Sequence, residues 1–360
     1  KSDWITQGPD ILKFEKSVAK YCGAKFGVAF NSGTSALVAA CAAAEIKEGD
    51  EVITTPYTFS ASSNCFVWFG AKPVFVDIDE KTLNIDSKKI EKAITSKTKT
   101  ILAVDFAGVP CDYDAILKIA KKYDLIVIDD ASHALGSEYK GRKLGSIADL
   151  ACFSFHPVKT ITTGEGGMVV TNNEKYYQKL LIFRNHGITK EPKLLTKNEG
   201  GWYYEMQELG LNFRFTDVQA ALGLSQLKKI DKFIERRREI VQTYNKAFKN
   251  LPVTLPFEPS YAKSAWHLYP VRLKLEKLKV SRRKIFDQLQ KADLGVQVHY
   301  IPIHLQPYYQ KKFSFKLGDF PIAEKAYQSE ISLPLFPKMT NSQVNYVIKT
   351  FRNVVEKFKK

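Results

Sequence analysis

The chain has 360 residues, 44% of them hydrophobic and 26% charged, with a net charge of +16 and a pI near 9.4. That length accommodates two domains of roughly 100–200 residues each, and no apolar run reaches the ~18 residues that a membrane span needs. Five widely spaced cysteines with no C-x-x-C pair argue against a disulfide framework or a zinc site and fit reduced thiols in a cytoplasmic protein.

The opening residues, Lys1-Ser2-Asp3-Trp4-Ile5-Thr6, read like the interior of a protein, with no signal peptide. Short apolar runs then predict strands over 27–30, 51–54, 73–76, 101–104, 125–128, 151–155 and 168–171. Helical patterns fall between them over 35–44, 87–94 (after a cap at Asp86) and 113–122. Such alternation implies βα units and a mostly parallel sheet covered on both faces. Continuous apolar runs such as 125–128 suit strands buried on both sides.

One long helix is predicted from 217 to about 249, with Val218, Ala221, Leu222, Leu227, Ile230 and Ile234 on its apolar stripe, until Leu251-Pro252 ends it. The texture then changes. A strand over 266–273, a helix over 281–291, a strand over 296–300 and a last helix over 342–358 predict a smaller α+β domain. The expected division is a large α/β domain over 1–235 and a small α+β domain over 236–360.

In open α/β sheets ligands bind beyond the C-terminal ends of the strands. After the first strand comes Asn31-Ser32-Gly33-Thr34-Ser35, a small polar turn entering a helix, where free N–H groups favour an anion such as phosphate. Plain helix capping would use the same residues. After 125–128 comes Asp129-Asp130-Ala131-Ser132-His133. A carboxylate there could bind metal, orient a base, pair with a protonated ring nitrogen, or simply cap a helix. After 151–155 comes His156-Pro157-Val158-Lys159, followed by Gly164-Glu165-Gly166-Gly167. A desolvated lysine at that place would be a usable amine nucleophile; an exposed loop lysine is the plainer alternative.

A phosphate turn, then a strand-end Asp, then a strand-loop Lys is the chain order of fold-type-I (aspartate aminotransferase-like) pyridoxal-phosphate enzymes. Three stretches carry a more specific likeness: Asp130-Ala131-Ser132-His133-Ala134-Leu135-Gly136, Ser154-Phe155-His156-Pro157-Val158-Lys159, and Gly210-Leu211-Asn212-Phe213-Arg214-Phe215-Thr216-Asp217. They resemble the signatures of the DegT/DnrJ/EryC1/StrS sugar aminotransferases, and the likeness runs along essentially the whole chain. Segments around Trp4-Ile5-Thr6, Trp202-Tyr203-Tyr204, Trp266-His267-Leu268 and Gln297-Val298-His299-Tyr300 are similar to the branch that forms UDP-4-amino-4,6-dideoxy-N-acetyl-β-L-altrosamine in pseudaminic acid biosynthesis. Against that branch about two dozen N-terminal residues are expected to be absent here.

The resemblance implies the roles that follow. Pyridoxal 5'-phosphate is the cofactor, Lys159 forms the Schiff base and shuttles the proton, and Asp130 keeps the pyridine nitrogen protonated. Phe59 stacks on the ring, Ser132 covers its other face, and Gly33, Thr34 and Ser154 hold the phosphate. Asn212 reaches the phosphate of a neighbouring subunit's cofactor, which implies a homodimer with interfacial active sites. His133 orients Asp130 or touches the cofactor hydroxyl, with a purely structural role as the alternative. Trp4, Ile5, Thr6, Gln297, Val298, His299 and Tyr300 contact the sugar nucleotide; for 297–300 the alternative is an ordinary small-domain strand. The substrates are L-glutamate and a UDP-linked 4-keto sugar, with no metal.

Other readings stay open. Relatives that perform 3-deoxygenation carry histidine where this chain has Lys159. Another nucleotide-linked 4-keto sugar, of perosamine, bacillosamine or aminoarabinose type, would suit the same motifs. The positive charge attracts anions in general, and the basic stretch from Leu227 to Arg238 raises a DNA-binding regulator. No recognition module accompanies it, so neither nucleic acid nor membrane is expected as a partner.

Overall fold

The computed structural model describes residues 4–360. Seven strands form the central sheet: β1 (Phe26–Phe30), β2 (Glu51–Thr54), β3 (Lys72–Phe75), β4 (Thr98–Val104), β5 (Ile126–Asp130), β6 (Leu150–Ser154) and β7 (Gly167–Thr171). Their spatial order is β1-β7-β6-β5-β4-β2-β3. β7 runs antiparallel to both of its neighbours, and the other six strands are parallel.

Alternate residues along each strand enter two different cores. Ala29, Ile53, Ile101, Val127 and Phe153 belong to one. Val28, Val52, Leu102, Ile128 and Cys152 belong to the other. Period-two alternation sends successive side chains to opposite faces, so the sheet is buried on both sides, as the apolar runs require. A partly buried ion pair ties the first helix to this frame: Arg184 Nη1 lies 2.5 Å from Glu15 Oε1. The same carboxylate accepts from Ala29 N–H at 2.8 Å, and Arg184 donates to the Ala29 carbonyl at 2.8 Å. Removing one member of so enclosed a pair costs about 3–5 kcal/mol. The pair anchors β1, whose end carries the polar turn.

A third core fills the C-terminal part. The helix Ile230–Phe248 gives Ile230 and Ile234 to the sheet core that holds Ala29 and Phe153, and Ile240, Val241, Tyr244 and Phe248 to the third. A three-stranded sheet of Val253–Thr254, Tyr269–Leu273 and Glu330–Leu333 completes that core, with the helices Arg282–Lys291 and Asn341–Lys357. Residues 303–326 return to the large sheet, with Ile303 and Tyr309 in its core and Ala323 and Ala326 beside Tyr57 and Phe106.

Four elements differ from the sequence expectation. The long helix is two, Asp217–Leu227 and Ile230–Phe248, broken at Lys228-Lys229. The helix expected over 87–94 is α-helical only over Ser87–Ile90, followed by a 3-10 turn. The strand expected from 266 starts at Tyr269, because Arg237 takes the carbonyls of Trp266 and His267, and Trp266 has φ of 50°. The segment 296–300 is not a strand. Gln297 exchanges one pair of backbone bonds with Ser332. The next ladder donor, His299 N–H, is taken by the Glu330 carboxylate at 2.8 Å.

The helices Pro9–Cys22, Ala61–Val67, Glu174–Phe183, Pro307–Phe313 and Pro321–Ser329 and the strand Glu330–Leu333 have no counterpart among the predicted elements. Among the described residues no helix is long and apolar enough to cross a membrane.

Candidate active site

The C-terminal ends of β1, β5 and β6 open into one cavity of about 410 Å³. Its wall brings together Gly33, Thr34, Phe59, Asp130, Ser132, His133, Ser154, Lys159 and Tyr300. Ser32, Leu37, Thr58, Ala61, Val104, His156, Val158 and Glu165 line it as well.

At the end of β1 the helix Gly33–Ala43 begins. Ser32 caps it reciprocally: its hydroxyl accepts from Ser35 N–H at 3.1 Å, and Ser35 Oγ accepts from Ser32 N–H at 2.9 Å. Ala36 N–H is taken by the Ser32 carbonyl. The N–H groups of Gly33 and Thr34 have no partner within the helix and remain available to an anion. Two close approaches build this corner. A Cβ on Gly33 would lie 2.8 Å from Ser154 Cβ, and one on Gly167 would lie 2.2 Å from the Ser32 carbonyl oxygen. Glycine at both places lets β6 and β7 press against the polar turn.

Asp130, 5% exposed, ends β5. Its Oδ1 accepts from Ser132 N–H at 3.2 Å and Ser132 Oγ at 2.6 Å, and its Oδ2 accepts from Ser62 Oγ at 2.6 Å. Thr58 and Ser62 hydroxyls are 2.8 Å apart. Ser132 and Ser62, rather than His133, therefore orient this carboxylate. The Ser132 hydroxyl, expected over a ring face, is engaged on Asp130.

His133 accepts from Ala107 N–H on Nδ1 at 3.3 Å, and its Nε2 lies 3.1 Å from the Tyr300 hydroxyl. Burial holds its pKa well below the usual histidine value, and the Lys159 charge adds to this. A neutral ring that accepts on Nδ1 carries its hydrogen on Nε2 and donates it to Tyr300. The His267 ring packs 4.4 Å from it, centroid to centroid.

Lys159 follows β6 in a tight turn, its N–H bonded to the His156 carbonyl at 2.9 Å. Burial pushes its amine down to about 8, and the negative charge of Asp130 opposes that shift. Phe59 is 56% exposed, with its ring 5.8 Å from that of Tyr300.

The remaining candidates lie off this wall. Trp4, Ile5 and Thr6 sit at the surface, where Ile5 accepts from Asp217 N–H and Thr6 bridges Thr216. Asn212 is exposed and bridges Asn185. Gln297, Val298 and His299 precede Tyr300 in sequence but do not line the cavity.

Pyridoxal phosphate fits these groups: two unpartnered amides and Ser154 for a phosphate, a twice-supported carboxylate for a ring nitrogen, and a desolvated amine. Among the described residues no cluster of side chains suits a metal ion. The arginines behind the DNA-binding reading are engaged within the protein. Arg237 is buried on the carbonyls of Trp266, His267 and Leu335, Arg238 pairs with Glu258, and Arg236 pairs with Glu239.

Comparison with known proteins agrees with this geometry. The profile of the DegT/DnrJ/EryC1/StrS aminotransferase family matches residues 1–352. The spore coat polysaccharide biosynthesis protein SpsC of Bacillus subtilis (strain 168) is 44% identical, covering 99% of this chain and 92% of that protein. The UDP-4-amino-4,6-dideoxy-N-acetyl-beta-L-altrosamine transaminase of Campylobacter jejuni subsp. jejuni serotype O:23/36 is 42% identical, covering 100% of this chain and 93% of that one. Among solved structures, Spr1654 from Streptococcus pneumoniae in its PLP form superposes with a TM-score of 0.92 at 35% identity, covering 99% of this chain and 94% of that chain.

Proposed function

Because this chain belongs to the DegT/DnrJ/EryC1/StrS family and is a pyridoxal-phosphate-dependent aminotransferase, we propose that it moves the amino group of L-glutamate to C4 of a UDP-linked 2-acetamido-2,6-dideoxy-4-keto-hexose. The product is UDP-4-amino-4,6-dideoxy-N-acetyl-β-L-altrosamine. The observation that carries the amine transfer is the meeting of Lys159, with its amine pushed down to about 8, and Asp130 on one cavity wall, and the 42% identity to the Campylobacter jejuni transaminase supports the choice of sugar.

The bound cofactor supplies an electron sink through its protonated ring nitrogen. Asp130 keeps that nitrogen protonated, and Ser132 and Ser62 hold the carboxylate in place for it. The amides of Gly33 and Thr34 and the Ser154 hydroxyl bind the phosphate. Lys159 Nζ takes the proton from the carbon that loses hydrogen and returns it to the one that gains it. One amine serves both half-reactions, since burial brings its pKa down to about 8, where it can both take up and release a proton. Phe59 stacks against the ring, and the Tyr300 hydroxyl, fixed by His133, orients the sugar at the cavity mouth.

Asn212 of a second copy completes the phosphate site. The exposed Trp202, Tyr204, Met206, Leu209 and Leu211 supply apolar surface for that partner. Trp4, Ile5, Thr6 and residues 297–300 contact the nucleotide sugar, and the enzyme works in the cytoplasm, where nucleotide sugars are made.

The similarity of SpsC, named for spore coat polysaccharide, favours a second reading: another nucleotide-linked 4-keto sugar. A coupled assay with glutamate and a panel of UDP- and GDP-4-keto sugars decides between them. Fastest turnover is expected with the UDP-linked 2-acetamido sugar; faster turnover of a GDP sugar overturns the proposal.

A further inference from the structure

We propose that Glu330 and Ser332 are positioning residues that set the tautomer of His299 through a hydrogen-bond relay, and so decide whether its Nε2 offers the substrate a lone pair or an N–H. The functional half of this rests on the reading that His299 faces the sugar nucleotide. The relay itself does not.

Glu330 is 0% exposed and Ser332 4%. Both stand on the strand Glu330–Leu333, with Glu330 opposite Arg272 of the neighbouring strand. One Glu330 oxygen, Oε2, accepts the His299 backbone N–H at 2.8 Å. The other, Oε1, lies 2.5 Å from Ser332 Oγ, which in turn lies 2.8 Å from His299 Nδ1. The carboxyl group thus grips His299 twice, once through its backbone and once through its ring. His299 Nε2 has no protein partner among the described residues. The ring packs edge-on to Tyr300, 4.8 Å between centroids, and Tyr300 lines the cavity.

A hydroxyl between an acid and an imidazole can point only one way at a time. With Glu330 ionised, Ser332 donates to Oε1 and accepts from Nδ1–H, which leaves a lone pair on Nε2. With Glu330 protonated, its O–H donates to Ser332, Ser332 donates to Nδ1, and Nε2 carries the hydrogen. Between the two states one proton enters from solvent at Nε2, and one shifts along each relay bond to end on Glu330. Burial holds the imidazole down at about 4, so the ring stays neutral and only its tautomer varies. Burial also pushes Glu330 up to about 8, against the Ser332 and His299 hydrogen bonds and the Arg282 charge.

Arg282, Tyr57 and Tyr300 face the acid end, and Lys159, His133 and His267 face the ring. Lys159 titrates over the same range, so the test must separate it from Glu330. Glu330→Gln does so. Its amide accepts the His299 N–H and permanently donates to Ser332, while Lys159 still titrates.

The experiment is nitrogen NMR of the cofactor-loaded enzyme labelled with 15N-histidine. The chain has six histidines, and the His299 signals are identified by their loss in His299→Gln. The expected result is Nδ1–H in the wild type at pH 9.5 and Nε2–H at pH 6.5. Glu330→Gln should show Nε2–H at both, and Ser332→Ala should lose the switch. A wild type with Nε2–H at pH 9.5, or with one tautomer throughout, overturns the relay without needing either variant to fold. So does a Glu330→Gln enzyme that matches the wild type at pH 9.5, or a Ser332→Ala enzyme that still switches. An unchanged KM for the keto sugar in His299→Gln overturns only the placing of His299 beside substrate.

Discussion

Ser62 donates its hydroxyl to Asp130 Oδ2 at 2.6 Å, joining the helix Ala61–Val67 to the end of β5. Asp130 is nearly inaccessible, so each lost donor leaves a buried acceptor unsatisfied, at about 1–3 kcal/mol. A carboxylate with one support fewer is a poorer partner for a protonated ring nitrogen. Ser62→Ala is expected to weaken cofactor binding about tenfold, since 1.4 kcal/mol is a factor of ten. Titration of the cofactor-free protein, followed by absorbance, measures this. An unchanged Kd would show that Ser132 alone suffices.

Lys159 should react as a lysine with a pKa near 8. At pH 7.5 about a quarter of such amines are unprotonated, against about one in a thousand for a surface lysine at ~10.4. Competitive acylation of the cofactor-free protein across pH 6–11, read by peptide mass spectrometry, gives the midpoint directly. The sign of the Asp130 effect is also testable. Its negative charge raises the amine's pKa, so Asp130→Asn is expected to move the midpoint below 8. Movement upward would contradict this account of the site.

Gly33→Ala puts a methyl 2.8 Å from Ser154 Cβ, closer than packed carbons tolerate. The helix start or the end of β6 must shift, and overpacking of this kind costs typically 1–3 kcal/mol. Cofactor affinity and thermal stability should both fall. Adding Ser154→Gly removes the clash, so melting temperature should recover. Affinity should not recover, because a phosphate-binding hydroxyl has gone. Recovery of both would remove Ser154 from the phosphate site.

What the sequence made legible follows from where chemistry falls in this kind of sheet. Gly33, Asp130 and Lys159 each follow an apolar run, and strand ends of one open sheet face one crevice. Ser62 and Glu330 carry no such mark. Ser62 sits in a run of small polar residues, and Glu330 opens a strand that was not predicted; each matters only through a distant partner. The segment 296–300 has strand-like alternation, yet Glu330 removes its next ladder donor. At Trp266-His267 a buried guanidinium 29 and 30 positions away claims the carbonyls. Local propensity yields to such tertiary partners. The proline-headed helices at Pro9, Pro307 and Pro321 were legible in principle, because proline favours the first helical turn.

Asp129 precedes Asp130 on β5, and its side chain points to the opposite face. It is 1% exposed, beside the fully buried Asp105. Asp105 accepts from Cys111 N–H at 2.8 Å and from the Tyr113 hydroxyl at 3.1 Å. No N–H or O–H donor reaches either Asp129 oxygen within hydrogen-bond geometry among the described residues, and the Asp105 carboxylate and the Tyr113 hydroxyl are its polar neighbours. Two carboxylates so placed cannot both ionise cheaply. Burial pushes Asp105 up to about 6, and burial together with the Asp105 charge pushes Asp129 well above the usual carboxylate range. Asp129 therefore keeps the proton and donates it to Asp105. Both folded values exceed the unfolded value near 4, so the folded chain retains a proton that the unfolded chain has lost. The pair's stabilising contribution is complete below pH 4 and declines as pH rises through 6 and beyond. Asp129→Asn substitutes a neutral amide that donates to Asp105 at every pH. Its melting temperature at pH 8 is expected to exceed the wild type's by about 2–4 °C, and its loss of stability between pH 5 and pH 8 should be smaller. Thermal melts at both pH values, at one cofactor concentration, test this. A variant less stable than wild type at pH 8, with an unchanged pH slope, would mean that Asp105 and Asp129 do not share a proton in the folded chain.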